Sequence, residues 1–80
     1  MARYCDVSLP VPLDRPFTYI VPDTMSHRIQ PGCRVLVPFG TRRLIGVVIG
    51  VHDGDSEAAN REALRLVDEE PVLDSSLLGL

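Results

Sequence analysis

The sequence contains no lysine: all eight of its basic residues are arginine, set against eleven acids for a net charge of −3. An acidic chain is a poor candidate for a broad surface that tracks nucleic-acid phosphates, because such affinity is a sum over many basic contacts. A few arginines suit a narrower task, the planar, bidentate recognition of one anionic group. Cysteine is sparse as well. Cys5 and Cys33 sit in strand-like runs, with no Cys-x-x-Cys pair and no histidine at ligand spacing, so they read as reduced core thiols. No apolar run approaches the ~20 residues of a membrane span, and the first six residues hold no apolar signal core. A cytoplasmic location without a membrane partner is expected. Also missing are a Gly-x-x-x-x-Gly-Lys phosphate loop, a Gly-x-Ser-x-Gly nucleophile turn and a His-x-x-His pair. His27 and His52 are isolated, and the adjacent Glu69 and Glu70 would point to opposite faces of a strand. No catalytic residue or metal ligand is nominated, and no enzyme is expected in these residues.

What is present describes one small folded domain. A chain of 80 residues buries only about 60–65% of the surface its unfolded form exposes, which leaves a small core and little room for a deep site. A hydrophobic fraction of 45% and a mean hydropathy of +0.12 still mark a folded chain. Charge is divided unevenly. Residues 1–50 carry six arginines against three acids, +3, whereas residues 51–80 carry two arginines against eight acids, −6.

Along the chain, residues 3–9 alternate, with Cys5, Val7 and Leu9 on one face and Tyr4, Asp6 and Ser8 on the other, as in a half-buried strand. Pro10 and Pro12 then forbid ladder bonds and force an extended connector. Pro16 precedes a second strand, Phe17 to Val21, which Pro22 ends. Residues 23–31 are polar and without a sustained period, hence a loop with at most a single turn. Gly32 turns the chain into a strand over 33–39, and Gly40 to Arg43 is predicted as a four-residue hairpin connection. The next strand, Leu44 to His52, sets Ile45, Val47, Ile49 and Val51 on one face and Gly46, Val48 and Gly50 on the other. Glycines at that spacing let a strand bend sharply or another backbone come close, as in a small closed barrel. Residues 57–66 have helical propensity with a cap in 53–56, the alternative being a loop and then a strand over about 62–68. After Pro71, residues 74–80 read as a helix start capped by Ser75 or Ser76. It stops before two turns, so the chain is expected to be cut from something longer. Internal repeats and low-complexity stretches are absent.

Taken singly, the notable residues are bland: Phe17 and Tyr19 are strand aromatics of the usual core kind, Arg42-Arg43 a solvated turn, and Pro38-Phe39-Gly40 turn chemistry. In order they say more. The runs Leu9-Pro-Val-Pro-Leu-Asp-Arg-Pro-Phe-Thr-Tyr-Ile-Val-Pro22, Pro31-Gly-Cys-Arg-Val-Leu-Val-Pro-Phe-Gly-Thr-Arg-Arg43, Ile45-Gly-Val-Val48 and Val67-Asp-Glu-Glu-Pro-Val-Leu73 resemble the N-terminal 3′ DNA-binding domain of the primosomal protein N′ (PriA) family of replication-restart helicases. The resemblance covers nearly the whole chain, with residues 53–60 as its variable part.

That resemblance implies a mainly β domain over 1–73, a small OB-like or half-open β-barrel, with 74–80 beginning a linker helix to a winged-helix and helicase portion. It implies capture of the 3′-terminal nucleotide of the nascent leading strand at a stalled fork. ATP and zinc would belong only to the remainder of the parent protein, leaving no cofactor in this part. Position by position, the terminal nucleotide would meet Phe17, Thr18, Tyr19, Gly40 and Arg61. Phe17 offers a flat face to a base, Gly40 lets a backbone N–H approach, and Arg61 stands where the family has a lysine. Asp14, Arg42, Arg43 and Arg65 are auxiliary contacts, Arg65 being the alternative to Arg61 across the variable loop. Position 18 departs from the family, which places an aspartate there that repels a 3′-phosphate. Thr18 keeps a hydroxyl but loses the charge, so weaker 3′-hydroxyl selectivity is expected unless Asp14 substitutes. Because Phe17 and Thr18 point to opposite faces of a regular strand, a kink at Pro16 is expected to bring both to one pocket.

Two readings follow. The first is a sequence-independent binder of DNA with a free 3′ end, with the rest of the helicase, primosome proteins and single-strand-binding protein as further partners. The second is a protein-interaction module whose basic and acidic halves dock a partner or the rest of its own chain.

Overall fold

The computed structural model of the protein describes residues 2–54, 59 and 61–67. Five strands make one antiparallel sheet: β1 (Ala2–Ser8), β2 (Phe17–Ile20), β3 (Arg34–Phe39), β4 (Arg42–Gly54) and β5 (Arg65–Leu66), in the order β2-β1-β4-β3-β5. No helix occurs among the described residues. The mainly β class read from the pattern is the class found, and the single unclosed sheet is compatible with the small OB-like domain that the resemblance implies. The expected helix start at 74–80 lies outside the described residues.

The sheet wraps around one apolar centre without closing as a ladder. The segment 61–67, which contains the edge strand β5, pairs with β3 on one side and reaches the opposite edge, β2, on the other. Ile20 N–H donates to the Arg61 carbonyl and Ala63 N–H to the Ile20 carbonyl, both at 2.9 Å, in an isolated parallel bridge. Three residues on, Leu64 N–H reaches the Leu36 carbonyl at 2.8 Å and Val67 N–H the Arg34 carbonyl at 2.9 Å. Over the described residues 61–67 this extended path matches the loop-and-strand reading and not the helix. Local propensity favours helix, but propensity is a weak prior. Here the backbone groups satisfy two open sheet edges, and Ala63 and Leu66 are buried in the process.

The hairpin between β3 and β4 is tighter than the sequence suggested. Phe39 pairs with Arg42, so the turn is the two residues Gly40-Thr41, and Arg42 and Arg43 belong to β4. Gly40 has φ +63°, a conformation that favours glycine.

In β4 the alternation is as read, but the buried side is the glycine side. Val48 and Gly46 are buried, while Ile45, Val47 and Ile49 remain 42–52% exposed. Gly46 explains why. A Cβ there would lie 2.5 Å from Val7 Cγ1 and 2.6 Å from both Leu9 Cδ2 and the Ser8 carbonyl oxygen, so only a glycine lets β1 cross at this height. A bulge follows: Asp6 pairs with Gly50 and Val7 with Val48, leaving Ile49 unpaired. The extra residue shifts the phase of the strand. Val51 therefore packs against the core with Cys5, instead of facing out with Ile49.

The loop 23–31 is more than a connector. Ile29 N–H donates to the Met25 carbonyl at 3.0 Å, one helical turn that stacks Met25 and Ile29 on the core side, where both are buried. Cys5 and Cys33 are free thiols, as read. Burial, helped by the nearby Asp6 charge, pushes the Cys5 thiol up to about 11, which keeps it protonated and unreactive at neutral pH.

Candidate nucleic-acid interface

Val7 pairs with Phe17 and Cys5 with Tyr19, so both aromatics stand on the inner face of β2, at its edge. Tyr19 is buried and its hydroxyl donates to the Pro38 carbonyl at 2.8 Å. That bond ties β2 to the end of β3 across the open side of the sheet. Burial pushes the Tyr19 phenol above its ordinary pKa, with the Arg61 charge opposing the shift. Phe17, half-buried, meets Phe39 edge-to-face, with centroids 5.3 Å apart at 84°, a favoured aromatic geometry. Arg61 Nη1 donates to the Gly40 carbonyl at 3.0 Å and closes the far side.

Between these groups lies a shallow cavity of about 190 Å³, lined by Phe17, Thr18, Tyr19, Pro38, Phe39, Gly40 and Arg61. One wall is bare backbone. Ile20 sends both its N–H and its C=O toward 61–63, and alternate residues of a strand aim these groups to the same side. Thr18 therefore presents its own N–H and C=O on that side, and among the described residues this edge is bridged to 61–63 at Ile20. Gly40 keeps the mouth open: nothing lies within 4 Å of where its Cβ would be.

The structure thus gathers Phe17, Thr18, Tyr19, Gly40 and Arg61 around one cavity. No kink at Pro16 is needed, since β2 pairs with β1 in unbroken register from Phe17 to Ile20. Both faces of β2 reach the cavity because it opens on the strand's edge. Arg42 and Arg43 line a neighbouring cavity that shares Pro38, Gly40 and Arg61 with the first. Asp14 and Arg65, both exposed, line neither. Arg65 is held in β5 opposite Leu36.

Sequence reading passed over Asp6. It is the direct cross-strand partner of Thr18, whose Oγ1 donates to Asp6 Oδ1 at 2.7 Å, and His52 Nε2 lies 3.4 Å from the same oxygen. A carboxylate thus stands immediately behind the residue that departs from the family pattern. The only trace of it in the sequence is its place in the alternation of residues 3–9. His52, which looked isolated, also stacks on Tyr4 at 5.8 Å and buries it. Among the described residues no three His, Cys, Asp or Glu side chains gather as metal ligands.

A family profile described as the 3′ DNA-binding domain (3′BD) of PriA matches residues 6–80. The chain belongs to the PriA 3′BD family. Curated relatives agree. The replication restart protein PriA of Bacillus subtilis is 40% identical over 70 residues, covering 85% of this chain and 9% of the relative. That of Treponema pallidum is 34% identical over 85 residues, covering 99% of this chain and 13% of the relative. That of Haemophilus influenzae is 55% identical over 42 residues, covering 52% and 6%. The chain spans about a tenth of the length of the first two. A 3′BD is by description a DNA-binding domain.

Proposed function

We propose that this 3′BD captures the free 3′ end of a DNA strand, the end of the nascent leading strand at a stalled fork, as one part of an ATP-driven replication-restart helicase. The observation that carries this reading is the convergence of an aromatic edge, unpaired strand backbone, an open glycine and one arginine on a single shallow cavity. Phe17 and Phe39 supply apolar faces for a base, and stacking is indifferent to base identity. The Thr18 backbone offers one donor and one acceptor to the polar edge of that base. Arg61 places its charge where the phosphodiester of the terminal nucleotide leaves the cavity. A site for one nucleoside needs few cations, which fits an acidic chain. Among the described residues no helix stands ready to read a major groove, which fits recognition of an end and not of a sequence. ATP and zinc belong to other parts of the parent protein.

Anisotropy with short strands ending in a free 3′-hydroxyl, a 3′-phosphate or a blocking group tests this. Binding should require an unblocked end, and Phe17→Ala should weaken it by about 1–3 kcal/mol. Equal affinity for open and blocked ends would remove the end-capture mechanism.

The row Ile45, Val47 and Ile49, apolar and exposed on one face of β4, favours a second reading, in which the domain docks a protein. A partner complex that survives Phe17→Ala but is lost on Val47→Asp would support it.

A further inference from the structure

Across the Arg61 side chain from the first cavity lies a second, of about 330 Å³. Arg42, Arg43 and Arg61 line it, along with the Gly40-Thr41 turn and Leu64, and no acid does among the described residues. The side chain of neither Arg42 nor Arg43 has an ion-pair or hydrogen-bond partner among the described residues, and both are exposed. Three arginines lining one hollow concentrate positive charge there, which favours an anion. Their fork geometry matches the oxygens of a phosphate, which they hold by paired, charge-assisted hydrogen bonds.

The two cavities are not independent. Arg61, pinned to the Gly40 carbonyl at 3.0 Å, forms a wall of both, and Pro38 and Gly40 also face each. A strand whose last nucleoside fills the first cavity must leave past Arg61, and the basic hollow is next on that path. We infer that the second cavity is a subsite for the second phosphodiester counted from the 3′ end, held by Arg42 and Arg43 while Arg61 takes the first. The inference rests on the end-capture reading and adds to it a register: two defined phosphate positions, fixed by a two-residue turn.

The experiment uses this chain and strands with a free 3′ end, in which a neutral methylphosphonate replaces either the second or the sixth linkage. Affinity is measured across a range of salt. Replacing the second linkage should flatten the slope of log K against log salt by about 0.7, the value of one single-strand phosphate contact. Replacing the sixth should not. In the Arg42→Gln/Arg43→Gln variant the second-linkage replacement should have no further effect, although binding should still require an open end. A native slope after second-linkage replacement, or an unchanged effect of that replacement in the double variant, would overturn the subsite. Inorganic phosphate that binds the hollow without any sensitivity to the second linkage would assign it to a free anion and overturn it likewise. Loss of end dependence in the unaltered chain would instead sink the end-capture reading, so the two failures are told apart.

Discussion

Asp6 and Thr18 carry the clearest lesson at the scale of single residues. The hydroxyl of Thr18 is held by the Asp6 carboxylate at 2.7 Å, so negative charge stands one hydrogen bond behind the pocket wall. In the end-capture reading a terminal phosphate brought to this wall would meet that carboxylate, whereas a hydroxyl would not. Asp6→Asn should therefore raise affinity for a 3′-phosphate relative to a 3′-hydroxyl, read as the ratio of the two dissociation constants. An unchanged ratio would show that Asp6 only positions Thr18. Asp14, the substitute suggested by the sequence, stands exposed and lines neither cavity, so Asp14→Asn should leave the ratio alone. The choice between the two acids was not legible in the sequence. Asp14 is nearer in the chain, but cross-strand registry makes Asp6 nearer in space.

At the scale of elements, periodicity placed the first four strands within a residue or two of where they lie, because alternation and proline boundaries are local signals. It did not say which face of β4 is buried. Counting apolar residues favours the Ile45, Val47, Ile49 side, yet the close crossing of β1 at Gly46 turns the other side inward. Gly46→Ala would drive a Cβ against the Ser8 carbonyl, which is backbone and yields little. It should cost about 1–3 kcal/mol by overpacking, seen as a lower urea midpoint. A midpoint equal to that of the unaltered domain would mean that β1 and β4 can separate without loss. The segment 61–67 teaches the converse. Its composition permits a helix, and only two unsatisfied sheet edges, one on each side, hold it extended.

For the molecule as a whole, that closing segment makes site and core one structure. Ala63 and Leu66 fill the core while Arg61, two residues before Ala63, walls the cavity. Leu66→Ala should cost about 2–5 kcal/mol of stability, and loss of end binding should track unfolding in the same samples. Survival of end binding after the segment has loosened would uncouple the two. Stability should also depend on alkaline pH through Cys5. Its folded pKa is raised from an ordinary 9.0 to about 11, chiefly by burial. The proton retained in the fold therefore stabilises it fully below pH 9, and that contribution is lost as pH rises through 11. The Tyr19 phenol, raised by burial, acts in the same direction. The fall in urea midpoint between pH 9 and pH 11 should be shallower in Cys5→Ala than in the unaltered domain, and an identical fall would assign it elsewhere. By itself the sequence determined the mainly β class, most strand positions and the family, because alternation, proline placement and motif order are written along the chain. Only the tertiary structure decided the buried face of β4, the extended path of 61–67, the pairing of Asp6 with Thr18 and the meeting of Arg61 with Gly40. Each of these depends on which backbones lie side by side, and neighbours in space are fixed by closing the sheet around its core.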